Sequence, residues 1–378
     1  MRWLPVLLMA ANLLACGDKD NSEPPADLVD FDATAKVQKL WSVSIGGGAA
    51  QQYLKLYPLL LADRLIAADR SGDVVAVNAD TGTVIWRTDL DVTISGGVGG
   101  NAEYHIVTTR DGEVIALNAS GALLWRKNIS SEALAPAAID DDRIIVRSVD
   151  GNIVALSVVD GKQLWVYSRD VPALSLRGTS APVVDQSRVY VGLDNGRLVA
   201  LDITDGHSVF DVAVASSAGR SEIERLNDID GDALLDKDLL YIASYQGRVI
   251  AIDVRRGTLI WTRKISTSTG VDAGATTLFM ADDRDHVWAM GRDNGATMWK
   301  QEKLQARQLT RPVVMGENMV VGDYAGYLHW LSQFDGHFVA RVHVDGDGIL
   351  VPPLVRNDRI YVMSRDGDLF AYQLKETR

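Results

Sequence analysis

Residues 63–86 read DRLIAADRSGDVVAVNADTGTVIW, and the pattern returns as EYHIVTTRDGEVIALNASGALLW at 103–125 and as DRIIVRSVDGNIVALSVVDGKQLW at 142–165. Each copy is an apolar strand, a tight Gly turn, a second apolar strand, another Gly turn and a strand carrying Trp. Five more copies begin near Ser187, Leu239, Thr277, Asn318 and Asp358. A period of about 40 residues with four short strands per unit is the signature of a propeller blade. The chain is therefore expected to be all-β, an eight-bladed β-propeller.

The copies align at two positions. The first turn carries Gly72, Gly112, Gly151, Gly196, Gly247, Asp285, Gly326 and Gly367. Such a hairpin needs positive φ, which glycine adopts freely and aspartate tolerates better than most. The last strand carries Trp86, Trp125, Trp165, Phe210, Trp261, Trp299 and Ala340. Phe210, Asp285 and Ala340 depart from the strongest pattern and predict locally weaker packing between blades. The eighth copy has no Trp strand of its own, whereas Lys39-Leu40-Trp41-Ser42-Val43 stands alone before the first copy. Trp41 is thus expected to close the ring by pairing with the last blade, leaving no long exposed sheet edge. Proline precedes the innermost strands at Pro58, Pro136, Pro182, Pro312 and Pro352. Its missing N–H costs least at a strand start or on an edge, such as the strand that lines the channel. Gly96-Gly97-Val98-Gly99-Gly100 falls where the second inner strand belongs, and no helix follows it as a dinucleotide loop requires.

Before the repeats lie three segments: residues 1–15 as a signal peptide, 16–34 as a tether, and the ring from 35 to 378. Arg2 and the apolar run Leu4–Ala15 suit a secretion signal and are too short to span a bilayer. Leu13-Leu14-Ala15-Cys16-Gly17 resembles the bacterial lipobox, which implies a lipidated Cys16 at the mature N-terminus. Cys16 is the only cysteine of the 378 residues, so it has no internal disulfide partner. Two or more acyl chains, at about 0.8 kcal/mol per buried CH₂, form a stable anchor. This anchor is expected to be the only membrane attachment. Gly17, in place of the aspartate that retains such proteins in the inner membrane, favours the outer membrane with the ring in the periplasm. Residues 17–34 are rich in Asp, Glu, Pro, Asn and Ser and are expected to be a flexible acidic tether.

Net charge is −12 and pI about 5.0, with no basic stripe, so nucleic-acid binding is not expected. No catalytic residues, metal site or cofactor emerge. The six histidines make no HExxH pair, and there is no G-x-S-x-G or Walker A sequence. Asp228-Ile229-Asp230-Gly231-Asp232 loosely resembles a calcium loop, but Ala233 and Leu239 stand where that loop needs Gly and Glu. Connection length varies more. The intervals Trp165–Gly196 and Phe210–Gly247 are long, adjacent and on one rim, and length variation in repeat proteins maps to a binding face. The first contains Leu174-Ser175-Leu176-Arg177. In an extended segment Leu174 and Leu176 point the same way, with Arg177 beside them. The second runs from Ser216 to about Gly231 and is rich in charge. An apolar-plus-arginine cluster beside acids suits a protein contact.

Two resemblances follow. Asp80-Thr81-Gly82 with Trp86, repeated around the chain, resembles the tryptophan-docking motif of the pyrroloquinoline-quinone (PQQ) dehydrogenase propellers. That implies the packing; a periplasmic PQQ-dependent dehydrogenase is the alternative reading of function. Those enzymes carry calcium, a catalytic aspartate and often adjacent cysteines, and here Cys16 is taken by lipid. The lipobox, the tether, the eight Trp-motif blades and the Leu174–Gly178 segment together resemble the BamB family, lipoproteins of the outer-membrane β-barrel assembly machinery. The resemblance implies a non-enzymatic scaffold that binds the POTRA domains of BamA and assists insertion of β-barrel proteins, with unfolded outer-membrane proteins as further partners. Carried over residue by residue, it selects Leu174, Leu176, Arg177, Asp228 and Asp230 for the BamA contact.

Overall fold

A computed structural model describes residues 23–50, 52–172, 180–185, 187–215, 228–344 and 347–376. Among them are thirty-two strands and no helix, paired as eight four-stranded antiparallel sheets. Each sheet is one blade of a propeller. Blades one to seven cover 59–89, 94–128, 138–168, 183–213, 234–263, 271–301 and 313–343. Blade eight takes three strands from 354–376 and its fourth, outermost strand from Ala35–Ser44. The register runs from Ala35 opposite Glu376 to Ser44 opposite Asp368, with Trp41 opposite Ala371. The ring is closed as expected by the strand at 39–43.

The second and third strands of each blade are buried along almost their whole length, as in Leu65–Ala68 and Val74–Val77. A sheet covered on both faces by neighbouring blades calls for such runs without alternation. The first turn has positive φ at Gly72, Gly112, Gly151, Gly196, Asp285, Gly326 and Gly367. Asp285, at φ 63°, also accepts the amides of Gln308 (2.8 Å) and Leu309 (2.7 Å) from the connection to blade seven. Glycine offers no such acceptor. In blade five the strained position is Gln246 (φ 49°), one residue ahead of Gly247. The glycine strand 94–100 is the inner strand of blade two, and an added Cβ at Gly97 would lie 2.2 Å from the Tyr57 nitrogen.

The Trp positions dock each blade on the next. Trp41 donates its indole N–H to the Ala79 carbonyl (3.1 Å), and its ring lies where a Cβ at Gly82 would be. Trp86, Trp125, Trp165, Trp261 and Trp299 repeat this against Gly121, Gly161, Gly206, Gly295 and Gly336. Phe210 keeps the contact, against Gly257, without the hydrogen bond.

Across the strand pair, each of these aromatics faces an alanine: Ala76, Ala116, Ala155, Ala200, Ala251, Ala289 and, for Trp41, Ala371. Blade seven inverts the pair, with Trp330 on the third strand facing Ala340 on the fourth. Trp330 is fully buried. The expected weakening at Ala340 is therefore corrected: the bulk has moved one strand inward. The reason lies in blade eight, whose third strand runs on to Glu376 opposite Ala35, with no Gly turn on which a docking indole could rest.

Closure does not remove every edge. The fourth strands of blades one to six face outward, and Val84, Leu123, Leu164, Val209, Leu259 and Met298 are between 40% and 54% exposed. On blade seven Phe338 and Val339 are only 5% and 7% exposed. Residues 26–34 of the expected tether lie over them, so this part of the segment is not free of the ring.

Candidate functional site

Strand alternation places the turn between second and third strands on the same rim as the connection from one blade to the next. We call this the lower rim; the Gly82-type turns form the upper one. Backbone bonds such as Leu90 N–H to Gly72 O and Val214 N–H to Gly196 O tie turn and connection together. Both long connections, 169–182 and 214–233, belong to the lower rim and flank blade four.

Leu174, Leu176 and Arg177 lie outside the described residues, as does 216–227; the roots of both connections are described. Asp228 is fully buried and Asp230 is 9% exposed. These two acids, selected for the contact surface, are buried where the returning limb of the second connection rejoins the ring. The Asp228 carbonyl accepts the Tyr245 amide (3.0 Å). Ile229 is fully buried against Tyr190, Leu240 and Ile242, in space that Gly192 leaves open. A Cβ on Gly192 would approach Ile229 Cγ2 to 2.2 Å. Gly231 passes close to Gly270, with which Asp232 forms a parallel bridge. Asp232 Oδ1 accepts the Ala181 amide (3.0 Å), which joins the root of one connection to the root of the other. Sequence reading did not single out Ile229 and Asp232 for this; the glycine at 192 and the Asp-rich run were the available signals.

Nearer the axis, a cavity of about 370 Å³ opens at the lower mouth of the channel, with Tyr53, Lys55, Tyr57, Asp283, Asp285 and Arg311 among its lining. Burial pushes the Tyr57 hydroxyl well above its ordinary value, aided by the charge of Asp232 and opposed by Arg311. Burial also raises the Asp285 carboxyl, against the two amides it accepts. The mouth mixes both signs of charge and presents no single-sign field.

Histidines take packing and turn roles. His105 is buried and stacks on Trp86 (centroids 5.9 Å apart), and burial pushes its imidazole down to about 4. His286 pairs with Asp282 (3.0 Å), and His329 with Asp323 (3.0 Å). Asp202, Asp205 and His207 cluster on one turn of the upper rim, where the acids cap the amides of Thr204 and His207.

The family model described as outer membrane protein assembly factor BamB matches residues 70–301 and 294–378, most of the ring just described. The chain belongs to the BamB family. A BamB of Pseudomonas aeruginosa is 39% identical, over 99% of this chain and 100% of the relative, and that of Yersinia pestis is 35% identical over 98% of each. The crystal structure of BamB from Moraxella catarrhalis superposes with a TM-score of 0.82 at 32% identity, covering 89% of this chain and all of that one. A quinohemoprotein alcohol dehydrogenase from Comamonas testosteroni, at 12% identity and a TM-score of 0.72, covers 89% of this chain and 76% of that one, and it shares the fold alone. As a member of that family, the chain is an outer membrane protein assembly factor built on a PQQ-like repeat.

Proposed function

We propose that this protein is a non-enzymatic scaffold of the outer-membrane β-barrel assembly machinery. It is held to the outer membrane by lipid on Cys16, with the ring in the periplasm, and binds BamA POTRA domains through the lower rim beside blade four. Bound there, it assists insertion of β-barrel proteins. The observation that carries the reading is the shared root of the two long connections: the Asp232–Ala181 bond joins their returning ends, and the seating of Ile229 holds one of them on the ring. A rigid base under variable loops is how scaffolds present a contact at low ordering cost. In this arrangement Leu174, Leu176 and Arg177 make the contact, and Asp228 and Asp230 position it.

The test is a pull-down of the mature protein with the POTRA region of BamA, read beside thermal melting curves. Arg177→Ala abolishes binding with the melting temperature unchanged. Asp228→Ala lowers both, since it empties a fully buried position where the limb meets the ring. Full binding by Arg177→Ala would move the contact elsewhere on the ring.

A further inference from the structure

Residues 26–34 cross the ring from one rim to the other. At the lower rim the Ala26 amide donates to the Gln305 carbonyl (2.9 Å), and Arg307 donates to the Ala26 carbonyl (3.0 Å). Midway, Arg341 donates to the Val29 carbonyl (2.9 Å), and Phe31 stacks on Phe338 with centroids 5.3 Å apart. The Arg341 guanidinium lies over both rings, 5.0 and 5.2 Å from their centroids. Near the upper rim the Thr34 amide donates to the Val339 carbonyl (3.0 Å), and the chain then turns back down as the closing strand.

The two arginines are held from beneath. Arg307 Nε donates to Asp323 (2.7 Å), and Arg341 Nε donates to His329 Nδ1 (3.1 Å), which leaves His329 Nε2–H to donate to Asp323. Asp323 and His329 are fully buried. The guanidinium groups are therefore fixed before the segment lies on them, so docking it costs little side-chain entropy.

We propose that residues 26–34 are a docked strap that brings the anchored N-terminus out at the lower rim, so that this rim, with its two long connections, is the one held toward the lipid surface. A tether free up to Ala35 would start at the upper rim and, at about 3.5 Å per residue, reach about 65 Å from Cys16, enough to present either rim. With the strap docked, the covalent path from Cys16 to Glu23 spans at most about 25 Å, and it starts beside Gln305 at the lower rim. The inference rests on Cys16 as the anchored residue, and the experiment separates the two questions.

Because the chain has one cysteine, protein without its signal peptide can be coupled through Cys16 to vesicles of phosphatidylcholine carrying a maleimide lipid. A fluorophore on p-azidophenylalanine, placed at Arg284 (lower rim) or Asp293 (upper rim), then reports energy transfer to a labelled lipid. Transfer from position 284 is expected to exceed that from 293 at least twofold. Replacing residues 26–33 by a Gly/Ser segment of equal length removes the difference, as does Phe31→Ser in protein that still melts cooperatively and within a few degrees of the native chain. The Ala26 and Thr34 amides exchange at least tenfold slower in the native chain than in Phe31→Ser. Equal transfer from the two rims in the native chain, or exchange of both amides at the rate of a free peptide, overturns the strap. Mass measurement of the protein from cells tests lipidation at Cys16 alone and leaves the strap result standing.

Discussion

Two single residues show how local chemistry sets stability here. His105 is buried neutral, with an imidazole value of about 4 against about 6.5 for an unperturbed group. The unfolded chain therefore takes up a proton between those values that the folded chain refuses. The stability contributed by the neutral ring is complete above pH 6.5 and declines as pH falls from 6.5 toward 4. Melting curves from pH 7.5 to 4 are expected to show that decline, and His105→Phe is expected to flatten it; an equally steep profile in the variant would assign the loss elsewhere. Trp330 is the second case. Trp330→Ala leaves a large cavity in a close-packed blade and costs about 3–5 kcal/mol. The Trp330 Nε1–H is buried and has no hydrogen-bond acceptor among the described residues, so Trp330→Phe forfeits less than half of that. Chemical denaturation of both variants checks the ordering.

At the scale of elements, the returning limb 228–232 and the second strand of blade four are fitted to each other through Gly192 and Ile229. Gly192→Ala pushes a methyl into Ile229 and is expected to destabilise by about 1–3 kcal/mol. Ile229→Ala partly relieves the clash, so the two losses combine to less than their sum; strict additivity in denaturation would show that the limb does not rest on this strand. The repeats made most of the elements legible. A Gly turn and a Trp strand recur because each blade meets the same neighbour, and the innermost strands announce themselves by Pro58, Pro136, Pro182, Pro312 and Pro352. The inversion at Trp330 and Ala340 was hidden because it depends on which strands pair, and a residue count fixes only spacing. The burial of Asp228 and Asp230 was hidden for a related reason. An Asp-rich run reads as solvated until a return path through the ring is known. The segment 26–34 read as a tether by composition, because Val29 and Phe31 are too few to signal a docked strand.

At the scale of the whole ring, one blade is shared between the two ends of the sequence, and the strap lies outside it. Removing residues 16–34 is expected to leave a folded propeller with a melting temperature lower by a few degrees, about 1–2 kcal/mol. Removing residues 16–44 takes away Trp41 and the whole outer strand of blade eight, and it is expected to abolish cooperative melting in calorimetry. A permuted chain that joins Glu376 to Ala35 by an Asp-Thr-Gly turn supplies the docking surface that blade eight lacks. In that background, exchanging Trp330 and Ala340 is expected to be tolerated, whereas in the native order it is not. The shared blade also has a meaning in time. Residue 44 faces residue 368, so the strand synthesised early must wait, unpaired, until the last of the described strands is made. The ring cannot shut on a prematurely terminated product: a ribosome that stops anywhere before residue 368 releases a chain with an open seam and an orphan Trp41, the kind of exposed apolar edge that proteolytic surveillance recognises. Closure by this seam is thus a readout of synthesis through the strand at 368–376, written into the order of the strands.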